Sequence, residues 1–232
     1  MLHRRAAIGG LFCLACAGFG PAATRPAQAA DPVAKTTLTP NQALARLLEG
    51  NQRFVADNPM QPALGSPRRH ELAVGQAPFA TVIGCADSRT PPESLFGAGL
   101  GEIFTTRVAG NTIPAASLGS VAYSVDVLGS PLILVLGHER CGAVAAAVEV
   151  VTKGARLPDV LQPMVEPILG AVTAVRGRGG DLLDNAVREN ALVGARRLRR
   201  HPAFAAKVRA GTLMVAAARY DLDDGKVEIL EG

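Results

Sequence analysis

Leu132-Ile133-Leu134-Val135-Leu136-Gly137-His138-Glu139-Arg140-Cys141-Gly142 runs from an unbroken apolar stretch directly into a cluster of polar side chains. A short apolar run closed by glycine reads as a strand buried on both faces. The pattern recurs upstream, where Phe79 to Gly84 leads into Cys85-Ala86-Asp87-Ser88-Arg89. Ile103 to Arg107 and Thr212 to Arg219 are further strand-like runs. Between them, apolar residues recur at helical spacing over 114–129, 141–152, 160–176 and 184–200. Strands alternating with helices predict an α/β domain with a mostly parallel sheet flanked by helices. Asp223-Asp224-Gly225 is a turn signal, so Val227 to Leu230 is expected to add an antiparallel edge strand at the C-terminus.

Toward the N-terminus, Thr39-Pro40-Asn41-Gln42 has the form of a helix start. Thr39 caps, Pro40 fits the first turn, and Gln42 completes a capping box. Leu44, Leu47, Leu48, Phe54 and Val55 then line one face of a helix over 40–55. Residues 56–72 are rich in proline and read as irregular. Residues 30–38 read as a polar linker, and 39–232 as one domain.

Residues 1–29 read as an export signal. Arg4 and Arg5 precede a short apolar run from Ile8 to Phe19, and Ala27-Gln28-Ala29 offers a small-residue cleavage pattern. About 20 apolar residues are needed to span a bilayer, so this run predicts no stable membrane insertion once the signal is removed. The expected location is periplasmic or secreted, and the paired arginines suit a twin-arginine route. The formal charge of +4 suggests a polyanion partner only until the signal is set aside. Its three arginines leave with it, so 21 basic and 20 acidic residues remain, which argues against nucleic acid as a partner.

Of four cysteines, Cys13 and Cys16 lie in the signal, leaving Cys85 and Cys141. Each follows a predicted strand, and in open α/β sheets sites form outside the carboxyl ends of the strands. His138 and Cys141 are three apart, so one helical turn brings them to one side. Two thiolates and an imidazole make a metal-ligand set with one position open. Asp87 is close enough in sequence to Cys85 to reach that position, and Arg89 can hold the same carboxylate in a bidentate pair. Three readings of the cysteines stay open on these grounds: a metal centre, a disulfide, and two unrelated buried thiols.

Cys85-Ala86-Asp87-Ser88-Arg89, followed by Gly137-His138-Glu139-Arg140-Cys141-Gly142, resembles the β-class carbonic anhydrases. The resemblance extends to Ala43 to Val55, Gln76-Ala77-Pro78, Arg107 to Asn111, Glu189-Asn190 and Tyr220-Asp221 with Gly225. It implies one zinc ion per subunit on Cys85, His138 and Cys141, with Asp87 and Arg89 as the catalytic pair. Asp87 would itself be a ligand only in a closed state. The substrate pocket it implies comprises Gln76, Phe104, Ala109, Tyr123 and the Gly142 backbone, with Gln76 supplied by a neighbouring subunit. The implied activity is reversible hydration of carbon dioxide to bicarbonate and a proton, in a homodimer or tetramer whose first helix embraces the partner.

Some relatives hold bicarbonate in an inhibitory pocket of Trp, Gly and Arg. Gly84 and Arg107 fit that pattern, but Val82 stands where the Trp would be, so Asp87 is expected to rest on Arg89. The same ligand set also suits hydrolysis of carbon disulfide or carbonyl sulfide. A non-catalytic zinc or bicarbonate-binding protein and a redox module are readings from other classes.

Overall fold

A computed structural model describes residues 35–59 and 62–232. The signal at 1–29, and residues 30–34 of the linker, lie outside the described residues.

Strands β1 (Ala80–Gly84), β2 (Ile103–Arg107), β3 (Leu132–His138), β4 (Met214–Tyr220) and β5 (Val227–Glu231) form one sheet in the order β2-β1-β3-β4-β5. The first four are parallel, and β5 runs antiparallel to β4 with an irregularity at Ala217/Ala218. β1 and β3 are buried along their whole length, as unalternating apolar sequence requires. The expected architecture is therefore found, including the C-terminal edge strand.

Helices cover both faces. α1 (Pro40–Val55) starts with the capping box expected from Thr39 and Gln42. It buries Ala43 and Leu47 against a core that includes Val82, Leu134 and Ala216. On the other face, α4 (Ala115–Asp126), α7 (Leu182–Arg200) and α8 (Pro202–Arg209) enclose Ile83, Ile133, Val135 and Phe204. α5 (Gly142–Lys153), α6 (Gln162–Val175) and α7 enclose a third cluster that contains both Cys85 and Cys141.

Residues 56–72 are not wholly irregular, because α2 (Ser66–Leu72) forms within them. Pro67 sits in its first turn, where the missing N–H costs nothing, so proline here starts a helix. α3 (Pro92–Leu95) begins at a proline in the same way. So does α8, capped by His201, whose Nδ1 accepts from the Ala203 amide at 3.3 Å. The basic run at the end of α7 is absorbed locally. Arg196 pairs with Glu189, while Arg197 and Arg199 donate to the Ile113 and Val215 carbonyls.

A charged network fixes the C-terminal hairpin to α7. Arg219 of β4 bonds Asp184 at 2.5 Å and Asp221 at 2.9 Å, while Arg188 bonds Asp184 at 2.7 Å and Glu228 at 2.8 Å. Burial alone would raise the Asp184 pKa, but the hydrogen bonds from Arg188 and Arg219 outweigh it and lower it. Hydrogen bonding to Arg219 lowers Asp221 to about 2, and Arg188 lowers Glu228.

Two outcomes follow from this packing. A Cβ on Gly50 of α1 would lie 1.9 Å from the Phe96 carbonyl oxygen, which is backbone and cannot rotate away. Gly50→Ala is expected to lower stability by about 1–3 kcal/mol in urea unfolding, the usual cost of overpacking. The lowered carboxylate pKa values stabilise the fold above the unfolded pKa of about 4 and lose that contribution as pH falls through the folded values. Acid unfolding is therefore expected to weaken the fold progressively between about pH 4 and pH 2. Asp184→Asn should give a shallower pH dependence over that window.

Candidate metal centre

β1 and β3 are adjacent, with Thr81 beside Ile133 and Ile83 beside Val135. Counting on along that register brings Cys85, just past β1, level with Gly137 and next to His138, the last residue of β3. Cys141 follows after a tight turn in which Arg140 adopts a left-handed φ of 50°. The three donor atoms converge within 4.8 Å of one another, and all three residues are buried. The thiols are free, with their sulfurs 4.0 Å apart. Two sulfurs on a tetrahedral zinc, each about 2.3 Å from it, lie roughly 3.8 Å apart, so this spacing fits without rearrangement.

The imidazole is oriented for the same purpose. Its Nδ1 lies 2.9 Å from the Glu139 carbonyl oxygen, which fixes Nδ1 as the donor and leaves a lone pair on Nε2. Nε2 is buried and has no hydrogen-bond partner among the described residues. A buried orphan acceptor facing two thiols is what a ligand set needs before its ion. Glu139 is itself braced: its N–H bonds the Tyr220 carbonyl at 2.9 Å, and its carboxylate accepts from the Leu222 amide at 3.2 Å.

The two thiols divide one role. A hydrogen bond from Cys141 lowers the Cys85 pKa most, against burial, with further help from His138 and the Asp87 and Gly110 amides. Cys141 moves the opposite way, raised by that same bond and by burial, although the first amides of α5 pull it down. The pair therefore holds one negative charge readily and resists a second until a cation compensates it.

Asp87 rests on Arg89 through two parallel bonds, Nε to Oδ1 at 2.9 Å and Nη2 to Oδ2 at 2.7 Å. The Arg89 amide adds a third, at 2.9 Å. Hydrogen bonding to Arg89 holds the Asp87 carboxyl well below the usual range. Its Oδ2 lies 3.9 Å from His138 Nε2, so the carboxylate borders the space that the donors enclose. Arg107 steadies this loop from β2, donating to the carbonyls of Cys85 at 2.9 Å and Asp87 at 2.5 Å. Sequence reasoning assigned Arg107 to a bicarbonate pattern and gave it no such bracing role. A long cation at the end of the strand next to β1 was the signal available.

The expected pocket residues divide into two groups. Ala109 packs against the cluster that holds both cysteines, and Gly142, exposed, opens α5 beside Cys141. Phe104 instead lies level with Thr81, four residues before Cys85, and its ring meets Tyr123 of α4 at 6.3 Å. Tyr123 is 48% exposed. Gln76, also exposed, precedes β1, so the whole strand, about 16 Å long, lies between it and Cys85. One chain thus brings together Cys85, Asp87, Arg89, Ala109, His138, Cys141 and Gly142, but not Gln76, Phe104 or Tyr123.

Comparison with known proteins agrees with this geometry. Residues 80–227 match the family model described as carbonic anhydrase. Carbonic anhydrase 2 of Mycobacterium tuberculosis is 39% identical over 191 residues, covering 81% of this chain and 91% of the relative. Among solved structures, tetrameric β-carbonic anhydrases from Sordaria macrospora superpose with a TM-score of 0.65 at 23% identity, covering 81% of this chain and 96% of theirs. A Coccomyxa β-carbonic anhydrase in complex with acetazolamide gives a TM-score of 0.63 at 28% identity, covering 81% and 86%.

Proposed function

Because this chain belongs to the β-class carbonic anhydrases, we propose that its Cys85–His138–Cys141 centre holds one zinc ion and that the protein interconverts carbon dioxide and bicarbonate, with a proton as the other product. The observation that carries this reading is the convergence of two free, buried thiols on a buried imidazole nitrogen that has no other partner. Zinc held there would supply Lewis acidity, bringing the deprotonation of water from a pKa of about 15.7 toward neutrality.

The remaining work falls to the chain itself. Asp87, kept ionised and aimed by Arg89, accepts the hydrogen bond of the reacting water at a carboxylate oxygen and so turns a lone pair toward the carbon of carbon dioxide. The Gly142 amide, at the exposed start of α5, is available to a substrate oxygen. Ala109 keeps one wall apolar, as a non-polar triatomic substrate requires. Water and carbon dioxide combine into bicarbonate, and the proton passes to buffer. Gln76, Phe104 and Tyr123 complete the pocket from a second subunit, so the working form is a homodimer or a tetramer. The separation of Gln76 from Cys85 within one chain supports this arrangement. Export through the signal at 1–29 to a periplasmic or extracellular site is part of the same proposal. Among the described residues no helix is long and apolar enough to cross a membrane.

Stopped-flow carbon dioxide hydration by the zinc-loaded protein is expected to give fast turnover. Asp87→Asn should keep its zinc and lose about 100-fold or more in turnover, within the range for a proton-handling group. Cys85→Ser should lose zinc and folded stability together, because metal binding is coupled to folding. Zinc-bound wild-type protein without turnover would overturn the assignment and shift it to carbon disulfide or carbonyl sulfide, which the same assay can test. The shared pocket has its own test. Gln76→Ala and Asp87→Asn chains should each be poor alone, yet regain activity when mixed into heterodimers, because one of the two sites then has both residues. No regain would place Gln76 outside the partner's site.

A further inference from the structure

We propose that Asn190 is a positioning residue of the metal centre, acting through the Gly110 peptide on the sulfur of Cys85. The inference rests on the zinc reading above but concerns a residue that the mechanism does not use. Asn190 lies on α7, 7% exposed, and its Nδ2 donates to the Gly110 carbonyl oxygen at 2.8 Å. The amide of the same Gly110 donates to Cys85 Sγ at 3.2 Å. One residue thus links the α7 side chain to a ligand atom, taking a bond at its oxygen and giving one at its nitrogen.

Gly110 is suited to this link and is not easily replaced. Its φ of 68° lies in the left-handed region, where a side chain is strained. A Cβ there would also lie 2.6 Å from Ile168 Cδ1 and 3.2 Å from the Ala143 methyl. Gly110 is therefore wedged between α5 and α6, and the two peptide units that meet at its Cα, one carrying the N–H and the next carrying the C=O, can turn only about its φ and ψ. The Asn190 bond pins the Gly110–Asn111 unit and, through the crowded Cα, narrows the turn of the preceding unit whose N–H points at Cys85 Sγ. Glu189, next in sequence, is occupied elsewhere with Arg196, so the polar contact to Gly110 comes from Asn190.

The chemical consequence concerns charge on sulfur. Two thiolates donate heavily to a metal and make it a weaker Lewis acid than three imidazoles would. An N–H aimed at one of them withdraws part of that charge and fixes its lone pairs in direction. Without Asn190 the Gly110 oxygen loses a buried partner, the two peptide units that meet at Gly110 can turn, and Cys85 becomes more electron-rich and less well directed.

The test uses full-length protein and two readouts of the ligand atom. In Asn190→Leu, which keeps bulk but cannot donate, zinc should dissociate about 10-fold or more readily in chelator competition, the usual scale for losing a group behind a ligand. In the cobalt-substituted protein the sulfur-to-metal charge-transfer band should move to longer wavelength. Zinc affinity and band position equal to wild type would overturn the proposal. If Asn190→Leu does not fold, wild-type protein loaded with a spin-active cadmium isotope decides. A scalar coupling between the metal and the Gly110 amide proton supports the link, and its absence refutes it. Wild-type protein that binds neither zinc nor cadmium would refute the zinc reading itself, and this inference with it.

Discussion

The pairing of β1 with β3 is the constraint on which the rest of the site depends. Cys85 and His138 are far apart in sequence and come together only because two parallel strands end side by side in a fixed register. A slip of one residue would turn every side chain of either strand to the other face and carry Cys85 away from His138. Both strands are buried throughout, so such a slip would also disturb two apolar layers at once. The energy that sets the register is hydrophobic, while the consequence is the spacing of three donor atoms.

Charged groups then hold what the strands deliver. Arg107 reaches from β2 to the carbonyls on either side of Ala86, and Arg89 holds the Asp87 carboxylate by two bonds. On the β3 side, Arg140 in its left-handed turn bonds Asp223 at 3.0 and 2.6 Å, and Glu139 ties to the backbone beyond β4. The ion pair of Arg140 is exposed, so its contribution is geometric more than energetic. These contacts converge on the segments just past β1 and at the end of β3 that carry the three donors and the carboxylate beside them.

The third cluster of the core couples this arrangement to the helices. Cys85 and Cys141 are packed with Val144, Ile168, Val172 and Val187, so the thiols lie in a dry layer made by α5, α6 and α7. Dryness raises the cost of bare negative charge on sulfur and favours a cation among the donors. It also keeps the open side of the centre, where Asp87, Gly142 and Ala109 lie, as the face toward which a small substrate can come.

The strands, the long helices and the ligand triad were legible in the sequence, for distinct physical reasons. Apolar runs closed by glycine mark buried parallel strands, and Thr39 with Gln42 marks the start of α1, because these are local preferences that need no knowledge of the rest of the chain. Cys85, Asp87, Arg89 and Cys141 stood out because they follow strands and His138 because it ends one, and strand ends are where α/β sheets place chemistry. The short helices α2 and α3 were missed because proline signals a break unless one knows that it occupies a first turn. Asn190, Gly110 and Arg107 were present in recognisable stretches, yet nothing local states that an α7 amide reaches a β2-end peptide or that this peptide faces a sulfur. Such contacts join residues 25 and 80 positions apart. They exist only once packing has chosen which helix face meets which loop, and that choice belongs to the tertiary structure.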